Sequence, residues 1–202
     1  MEIIIAFVIS YLIGSISFSY IITKQIKKVD IRQHGSGNAG ATNTLRVLGV
    51  GPAVTVLLLD MAKGILAVLV TLWILGPGWA PALAGLAAIL GHNWPIYYGF
   101  RGGKGVATTI GVMASIVLIP ALIGGVVAII TIALTRFVSL GSLLFMVATT
   151  IATILLANVY QYPMAYFYLS LLVTILSFWR HRQNVVRLIQ GKENKLGKKA
   201  TT

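Results

Sequence analysis

VATTIGVMASIVLIPALIGGVVAIITIALT, residues 106–135, is the stretch on which the fold turns. It carries no charge, and its 30 residues would run roughly 45 Å as one helix, against a hydrocarbon core of roughly 30 Å. Pro120 and the pair Gly124–Gly125 are the places where such a helix would break. A split near Pro120 turns one overlong run into two short spans, tilted, distorted or only partly crossing.

Working outward, the other apolar runs are 3–23, about 50–75, about 79–98, 138–157 and about 162–179. The chain is 57% hydrophobic and 10% charged, where an ordinary soluble domain has about 25% charged residues. A bilayer therefore supplies much of the burial. The first run lacks a basic leader and a small-residue cleavage site, and reads as a retained span rather than a signal peptide. There are no cysteines, which excludes disulfides, thiolate metal sites and thiol nucleophiles.

The net charge of +12 falls in three stretches. Lys24, Lys27, Lys28, Arg32 and Arg46 form the first, Arg101 and Lys104 the second. Arg180, Arg182, Arg187, Lys192, Lys195, Lys198 and Lys199 form the third. On a membrane protein this pattern follows the positive-inside rule and does not call for nucleic acid. Six spans would put the Lys-rich tail outside with the N-terminus. Seven, with the 106–135 run divided, bring all three stretches and Arg136 to the cytoplasm. The expected fold is an all-α polytopic integral membrane protein of seven transmembrane helices, N-terminus outside and C-terminus cytoplasmic. A five-span arrangement with the same ends is the alternative. Residues 1–202 are expected to form a single membrane domain. Its polar islands would be 24–49, 99–108 and 180–194, with a disordered tail at 193–202.

The first island holds HGSGNAGATNTLR, residues 34–46. Gly35, Gly37 and Gly40 match G-x-G-x-x-G in form, but no βαβ unit surrounds them, so a dinucleotide fold is rejected. What remains is a small-residue loop whose backbone N–H groups suit an anion, with Ser36, Asn38, Thr42 and Asn43 as added donors and Arg46 as a phosphate fork. In the second, FRGGKGVATT (100–109), GGKG lacks the upstream glycine and the following Ser or Thr of a Walker A loop. It is either a hinge or a cradle in which Gly102, Gly103 and Gly105 let backbone approach a phosphate, Lys104 supplies charge and a helix N-terminus points at the ligand. In the third, a continuing helix would align Arg180, Asn184 and Arg187 on one stripe, with His181 as the group that titrates near neutrality. A basic helix lying on anionic lipid is the plainer reading of that stripe.

Asp60 and Lys63 stand three residues apart inside a span, where a pair is the expected way to tolerate charge. His92 and Asn93, near a span end, are candidates for helix-packing glue or a direct role. Ser139 and Ser142, near Arg136, are further candidates for polar contact. The scarcity of carboxylates argues against a bound metal.

GSGNAGATNTLR (35–46), LGHNWPIYYGFRGGKGVAT (90–108) and RHRQNVVRLIQGKEN (180–194) resemble the signature segments of the bacterial PlsY family, as does the YLIGSI start at 11–16. These are membrane acyl-phosphate:glycerol-3-phosphate acyltransferases. The resemblance covers nearly the whole chain and implies acyl transfer from a fatty acyl phosphate to glycerol 3-phosphate. The products are lysophosphatidic acid and inorganic phosphate, an early step of phospholipid synthesis. It implies essential roles for Ser36, Arg46, His181 and Asn184, and a phosphate-binding loop of Gly102, Gly103 and Gly105 with Lys104. Joined to the reading of the residues, the expected catalytic set is Ser36, Arg46, Lys104, His181 and Asn184, with substrate contacts from Gly37, Asn38, Thr42, Asn43, Gly102, Gly103, Gly105, Ser139 and Ser142. Glu193 matches a glutamate tied to structural integrity. Gln183 stands where some members carry a glutamate, so no catalytic carboxylate is expected there. No cofactor is implied. The implied partners are the bilayer, the two substrates and the enzyme that makes acyl phosphate. The implied place is the bacterial inner membrane, with the site at the cytoplasmic face. The proton of the attacking hydroxyl would go either to His181 or to a substrate phosphate, the second being preferred. A transporter of a small organophosphate or phospholipid is the rival from another class, and would set polar groups face to face at mid-membrane.

Overall fold

The structure is a computed structural model that describes residues 1–197. Among them the regular structure is helical throughout, in two compact units, 1–112 and 113 onward.

In the first unit the opening apolar run is two helices, α1 (Glu2–Gly14) and α2 (Phe18–Lys27). They part at Ser15–Ser17, where Ser15 Oγ donates back to the Tyr11 carbonyl at 2.8 Å. Next come α3 (Ala41–Leu48), α4 (Val50–Leu75) and α5 (Trp79–Asn93). The expected run to residue 98 stops short because Trp94 precedes Pro95, and a residue before proline is pushed out of the helical region. α6 (Val106–Ile116) follows the second polar island.

Small residues set the spacing here. A Cβ on Gly14 would lie within 2.7 Å of the Ala88 backbone, and one on Gly91 within 2.8 Å of the Ser15 nitrogen. So α1 and α5 run backbone against backbone, locked at one end by Tyr11 Oη donating to the Trp94 carbonyl at 2.7 Å. Gly64 approaches the Thr108 carbonyl and Gly111 the Met61 carbonyl, which brings α4 against α6 in the same way.

The long run divides as its length requires, at Val117 (φ −139°, ψ 63°), three residues before Pro120. Pro120 is the third residue of α7 (Leu118–Thr135). In a first turn its missing N–H leaves no helical bond broken. Gly124 and Gly125 do not break the helix, against expectation; Gly124 is instead where α7 meets Phe145 and Thr149 of α8 (Val138–Leu155). A short turn, α9 (Ala157–Tyr160), leads to α10 (Met164–Arg180) and α11 (Arg182–Ile189). Thr150 Oγ1 donates to the Ser170 carbonyl at 3.1 Å and Thr174 Oγ1 to the Met146 carbonyl at 3.2 Å, tying α8 to α10.

Among the described residues four helices are long and apolar enough to cross a membrane: Glu2–Lys27 taken through its bend, Val50–Leu75, Leu118–Thr135 and Val138–Leu155. Val106–Ile116 and Met164–Arg180 are shorter apolar helices. At 11 residues α6 is roughly 16 Å long, about half a hydrocarbon core.

Gly91→Leu is expected to abolish the α1–α5 seam, since backbone cannot yield as a side chain can. It should cost at least about 3 kcal/mol or prevent folding altogether. Gly125→Ala, with no neighbour within 4 Å, should leave stability unchanged or slightly raised. Thermal unfolding of the detergent-purified variants checks both.

Candidate active site

The first loop is built around one amide. Asn43, on the first turns of α3 and 1% exposed, donates from Nδ2 to the His34 carbonyl (2.9 Å) and the Ile31 carbonyl (3.2 Å). Its Oδ1 accepts from the Ser36 N–H at 2.8 Å. Gly35 (φ +63°) and Gly37 (φ +71°) supply the left-handed turns. Asn43 was expected to face an anion. That is corrected: its donors are spent on the loop it shapes. The expected nest of open N–H groups is thinner too, because the Gly37 and Gly40 amides bond to the His34 and Asn38 carbonyls. Ser36, Gly37 and Arg46 stand exposed, with Asn38 and Thr42 half-buried beside them.

Arg32 braces this loop on the second. It meets Asp30 through Nη2 at 2.7 Å and donates from Nη1 to the Tyr98 carbonyl at 2.7 Å, with its guanidinium 5.1 Å from the Tyr20 ring centre. The Arg32 hydrogen bonds hold the Asp30 carboxyl below its usual range, against a smaller opposing effect of burial.

The second loop folds back on the end of α5. The Gly103 N–H donates to the His92 carbonyl at 3.1 Å, and Gly102 lies so close that a Cβ there would sit 2.9 Å from the Asn93 carbonyl and 2.5 Å from Pro95. A Cβ on Gly103 would strike both His92 Nε2 and the Ala39 carbonyl. The two glycine-rich loops thus meet at Gly103 and Ala39. Gly105 (φ +80°) turns the chain into α6, whose N-terminus follows half-buried Lys104.

In the second unit the polar groups converge on Glu193, which is 9% exposed. Its Oε1 accepts from Asn184 Nδ2 (2.7 Å) and Ser139 Oγ (3.0 Å), and its Oε2 from Arg187 Nε (2.8 Å). Burial raises the Glu193 pKa, but the bonds from Asn184, Arg187 and Ser139 outweigh it and hold the carboxyl below the usual range. The stripe from Asn184 to Arg187 is real. It does not continue the helix of Arg180, however, because the chain breaks at His181 (φ −98°, ψ 8°). The disordered tail expected from residue 193 is corrected for its first residues: Glu193 is anchored and the Leu196 N–H donates to the Arg136 carbonyl at 2.7 Å. Residues 198–202 of that tail lie outside the described residues.

His181, 2% exposed, sits at the break with Nδ1 2.8 Å from the Ser177 carbonyl. A carbonyl only accepts, so Nδ1 carries the proton and, in the neutral ring, Nε2 is the acceptor. Ser139 and Ser142 were expected to touch substrate. Their hydroxyls instead donate to Glu193 and to the Val138 carbonyl. Sequence reading assigned no role to Ser177 or Tyr98, whose backbone carbonyls do the holding and leave no mark in residue identity. No group of three or more His, Asp or Glu is placed to hold a metal among the described residues.

The profile of the family described as glycerol-3-phosphate acyltransferase matches residues 4–191. A protein of that name from Halalkalibacterium halodurans is 67% identical over 195 residues, spanning 96% of this chain and 95% of that one. Another, from Shouchella clausii, is 63% identical over 191 residues, spanning 94% and 93%. A crystal structure described as PlsY, an integral membrane glycerol 3-phosphate acyltransferase in its glycerol 3-phosphate form, superposes with a TM-score of 0.90 at 36% identity, covering 98% of this chain and 96% of that one.

Because Glu193 is depressed in the folded state, its stabilising contribution is complete above the ordinary value of 4.5 and is lost as pH falls through the lower folded value. Melting temperature followed from about pH 6 to about pH 3 should drop more steeply for the parent protein than for Glu193→Gln. Asp30 is common to both, so the difference reports Glu193 alone.

Proposed function

The chain belongs to the glycerol-3-phosphate acyltransferase family, and from that premise we propose that its acyl donor is a fatty acyl phosphate. The acceptor would be the 1-hydroxyl of glycerol 3-phosphate, and the products lysophosphatidic acid and inorganic phosphate. The observation that carries the proposal is the meeting of two glycine-rich loops at Gly103 and Ala39, with Lys104 on the second loop and Arg46 on α3, the helix that follows the first. One anionic substrate would need one such loop; two phosphate-bearing substrates need charge and backbone donors for both. The crystal structures described as the glycerol 3-phosphate form and the lysophosphatidic acid form of PlsY support the acceptor and the product.

The hydroxyl oxygen attacks the acyl carbonyl carbon, the bond from that carbon to the phosphate oxygen breaks, and phosphate departs. A mixed anhydride already has a good leaving group, so the protein's work is to hold two anions together and offset their repulsion. Arg46 and Lys104 would do this, Ser36 would orient a substrate oxygen, and Gly37, Asn38, Thr42, Gly102 and Gly105 would give close approach. Asn184 would act by holding the Glu193 hub that shapes its segment. The proton would pass to a phosphate oxygen of a substrate, with His181 positioning that phosphate. What supports this is the partner behind Nδ1, a carbonyl dipole where a serine-hydrolase triad places a full negative charge to stabilise an imidazolium; the Nε2 lone pair would accept from the P–OH that the proton transfer creates.

The unbroken family match over 4–191 supports a single membrane domain. Seven crossings, with a cytoplasmic C-terminus in the bacterial inner membrane, suit the basic stretches and the break at Val117. An enzyme that makes acyl phosphate would act beside this one to supply a labile donor.

Purified protein given palmitoyl phosphate and glycerol 3-phosphate should release phosphate and form lysophosphatidic acid in equal amounts. No product with this donor, but product with a thioester donor, overturns the acyl-phosphate assignment. His181→Asn should weaken substrate binding and lower kcat by no more than about 100-fold, leaving the pH–rate profile without a lost limb. Intact binding with a larger collapse in kcat, and loss of a limb at about pH 6–7, would instead make His181 the base.

A further inference from the structure

Asp60, Lys63 and His92 lie inside the first unit at 1%, 4% and 6% exposure. Lys63 Nζ is 2.8 Å from Asp60 Oδ1, 2.8 Å from the Ile16 carbonyl and 2.9 Å from His92 Nδ1. Of its three N–H groups, two face the Ile16 carbonyl and His92 Nδ1 as acceptors, and Asp60 Oδ1 stands beside the ammonium as an ion pair. Toward a cation's N–H, His92 Nδ1 can only accept, so the ring is neutral and its proton is on Nε2. Asp60 Oδ1, 3.5 Å from the ring, sits behind Lys63 as its counter-charge.

Two charges buried in a membrane span gain little stability over apolar side chains of the same volume. Their placement here has another consequence. Lys63 holds Ile16 in the bend that starts α2, the helix that leads to the first loop. Through His92 it reaches the second loop as well. The His92 carbonyl takes the Gly103 N–H, and its Nε2 lies against the Gly103 Cα at the point where the Ala39 carbonyl also arrives. One imidazole therefore lies against the second loop at the residue where the first loop meets it, and its tilt and tautomer are set from α4.

We infer that Asp60 and Lys63 lock His92 as the positioning residue that shapes both glycine-rich loops for phosphate. The inference rests on the reading of those loops as substrate-phosphate sites. It separates the three residues from the chemical step: none touches the reacting atoms, and their loss acts through loop geometry.

The test uses detergent-purified enzyme with palmitoyl phosphate and glycerol 3-phosphate each varied. Lys104→Met identifies the substrate whose KM depends on the second loop. His92→Leu is expected to raise that same KM by about tenfold or more, with kcat within about threefold. His92→Gln can accept from Lys63 through Oε1 and donate through Nε2, and should return KM to within about threefold of the parent. The double variant Asp60→Asn, Lys63→Met removes both charges together. It should melt within about 3 °C of the parent yet show the raised KM of His92→Leu. Parent-like KM in His92→Leu or in the double variant overturns the inference, as does a His92→Gln no better than His92→Leu. Should the double variant not fold, the Leu and Gln pair decides alone. If Lys104→Met leaves both KM values unchanged, the phosphate-loop reading itself falls and takes this inference with it. A raised KM in Lys104→Met with a parent-like His92→Leu removes the inference alone.

Discussion

Backbone lying against backbone, with no Cβ between, is the condition that the first unit depends on. Gly14 on Ala88, Gly91 on Tyr11 and Ser15, Gly64 on Thr108 and Gly111 on Met61 bring α1, α4, α5 and α6 closer than side chains allow. In a bilayer no hydrophobic force draws helix to helix, so such close van der Waals contact and the polar bonds it permits carry the association. The same condition continues into the second polar loop. Gly102 lies on the carbonyls of His92 and Asn93, and Gly103 on the His92 ring and the Ala39 carbonyl, as tightly as Gly91 lies on α1. The loop is thus seated on the end of a packed helix, and its glycines serve contact with protein before any contact with phosphate.

That seating recasts the choice between hinge and cradle for GGKG. A hinge needs room, and Gly103 has none. A cradle needs a fixed shape, and this loop has fixed points at the His92 carbonyl and at Gly105 with its positive φ. The first loop reaches a fixed shape differently, through the Asn43 amide in place of helix packing. Two unrelated devices thus hold two neighbouring loops, with Arg32 bridging them through the Tyr98 carbonyl.

Much of this is legible in the residues. Apolar runs locate the helices, and the length of 106–135 is enough by itself to require a break. The break falls at Val117 because Pro120 belongs to a first turn; the bend at Ser15–Ser17 carries no comparable signal, since serine is tolerated inside an apolar helix. The polar islands coincide with the segments where the two glycine-rich loops meet and where side chains gather on Glu193. Which residues within them face inward is not legible. Asn43 reads as a donor to an anion and Asn184 as a catalytic residue on a polar stripe, yet their amides bond to the His34 and Ile31 carbonyls and to Glu193. Ser139 meets Glu193 across 54 residues of chain, a pairing that spacing cannot reveal.

Charge accounting links the fold to the chemistry. The chain has 16 Lys and Arg against four Asp and Glu. Three of those four carboxylates are engaged: Asp30 with Arg32, Asp60 with Lys63, and Glu193 with Arg187. Glu193 accepts at both oxygens from Ser139, Asn184 and Arg187, and so holds its segment in place. The net +12 is therefore left to be met by anions from outside the chain; under the proposed function these would be lipid headgroups at the basic stretches and substrate phosphates at the loops. A protein arranged in this way stabilises phosphate well and supplies few bases. Acyl phosphate suits it, because that donor brings its own leaving group and its own phosphate oxygens. A thioester carries no phosphate at its reacting carbonyl, so with that donor only glycerol 3-phosphate could offer an oxygen for the proton.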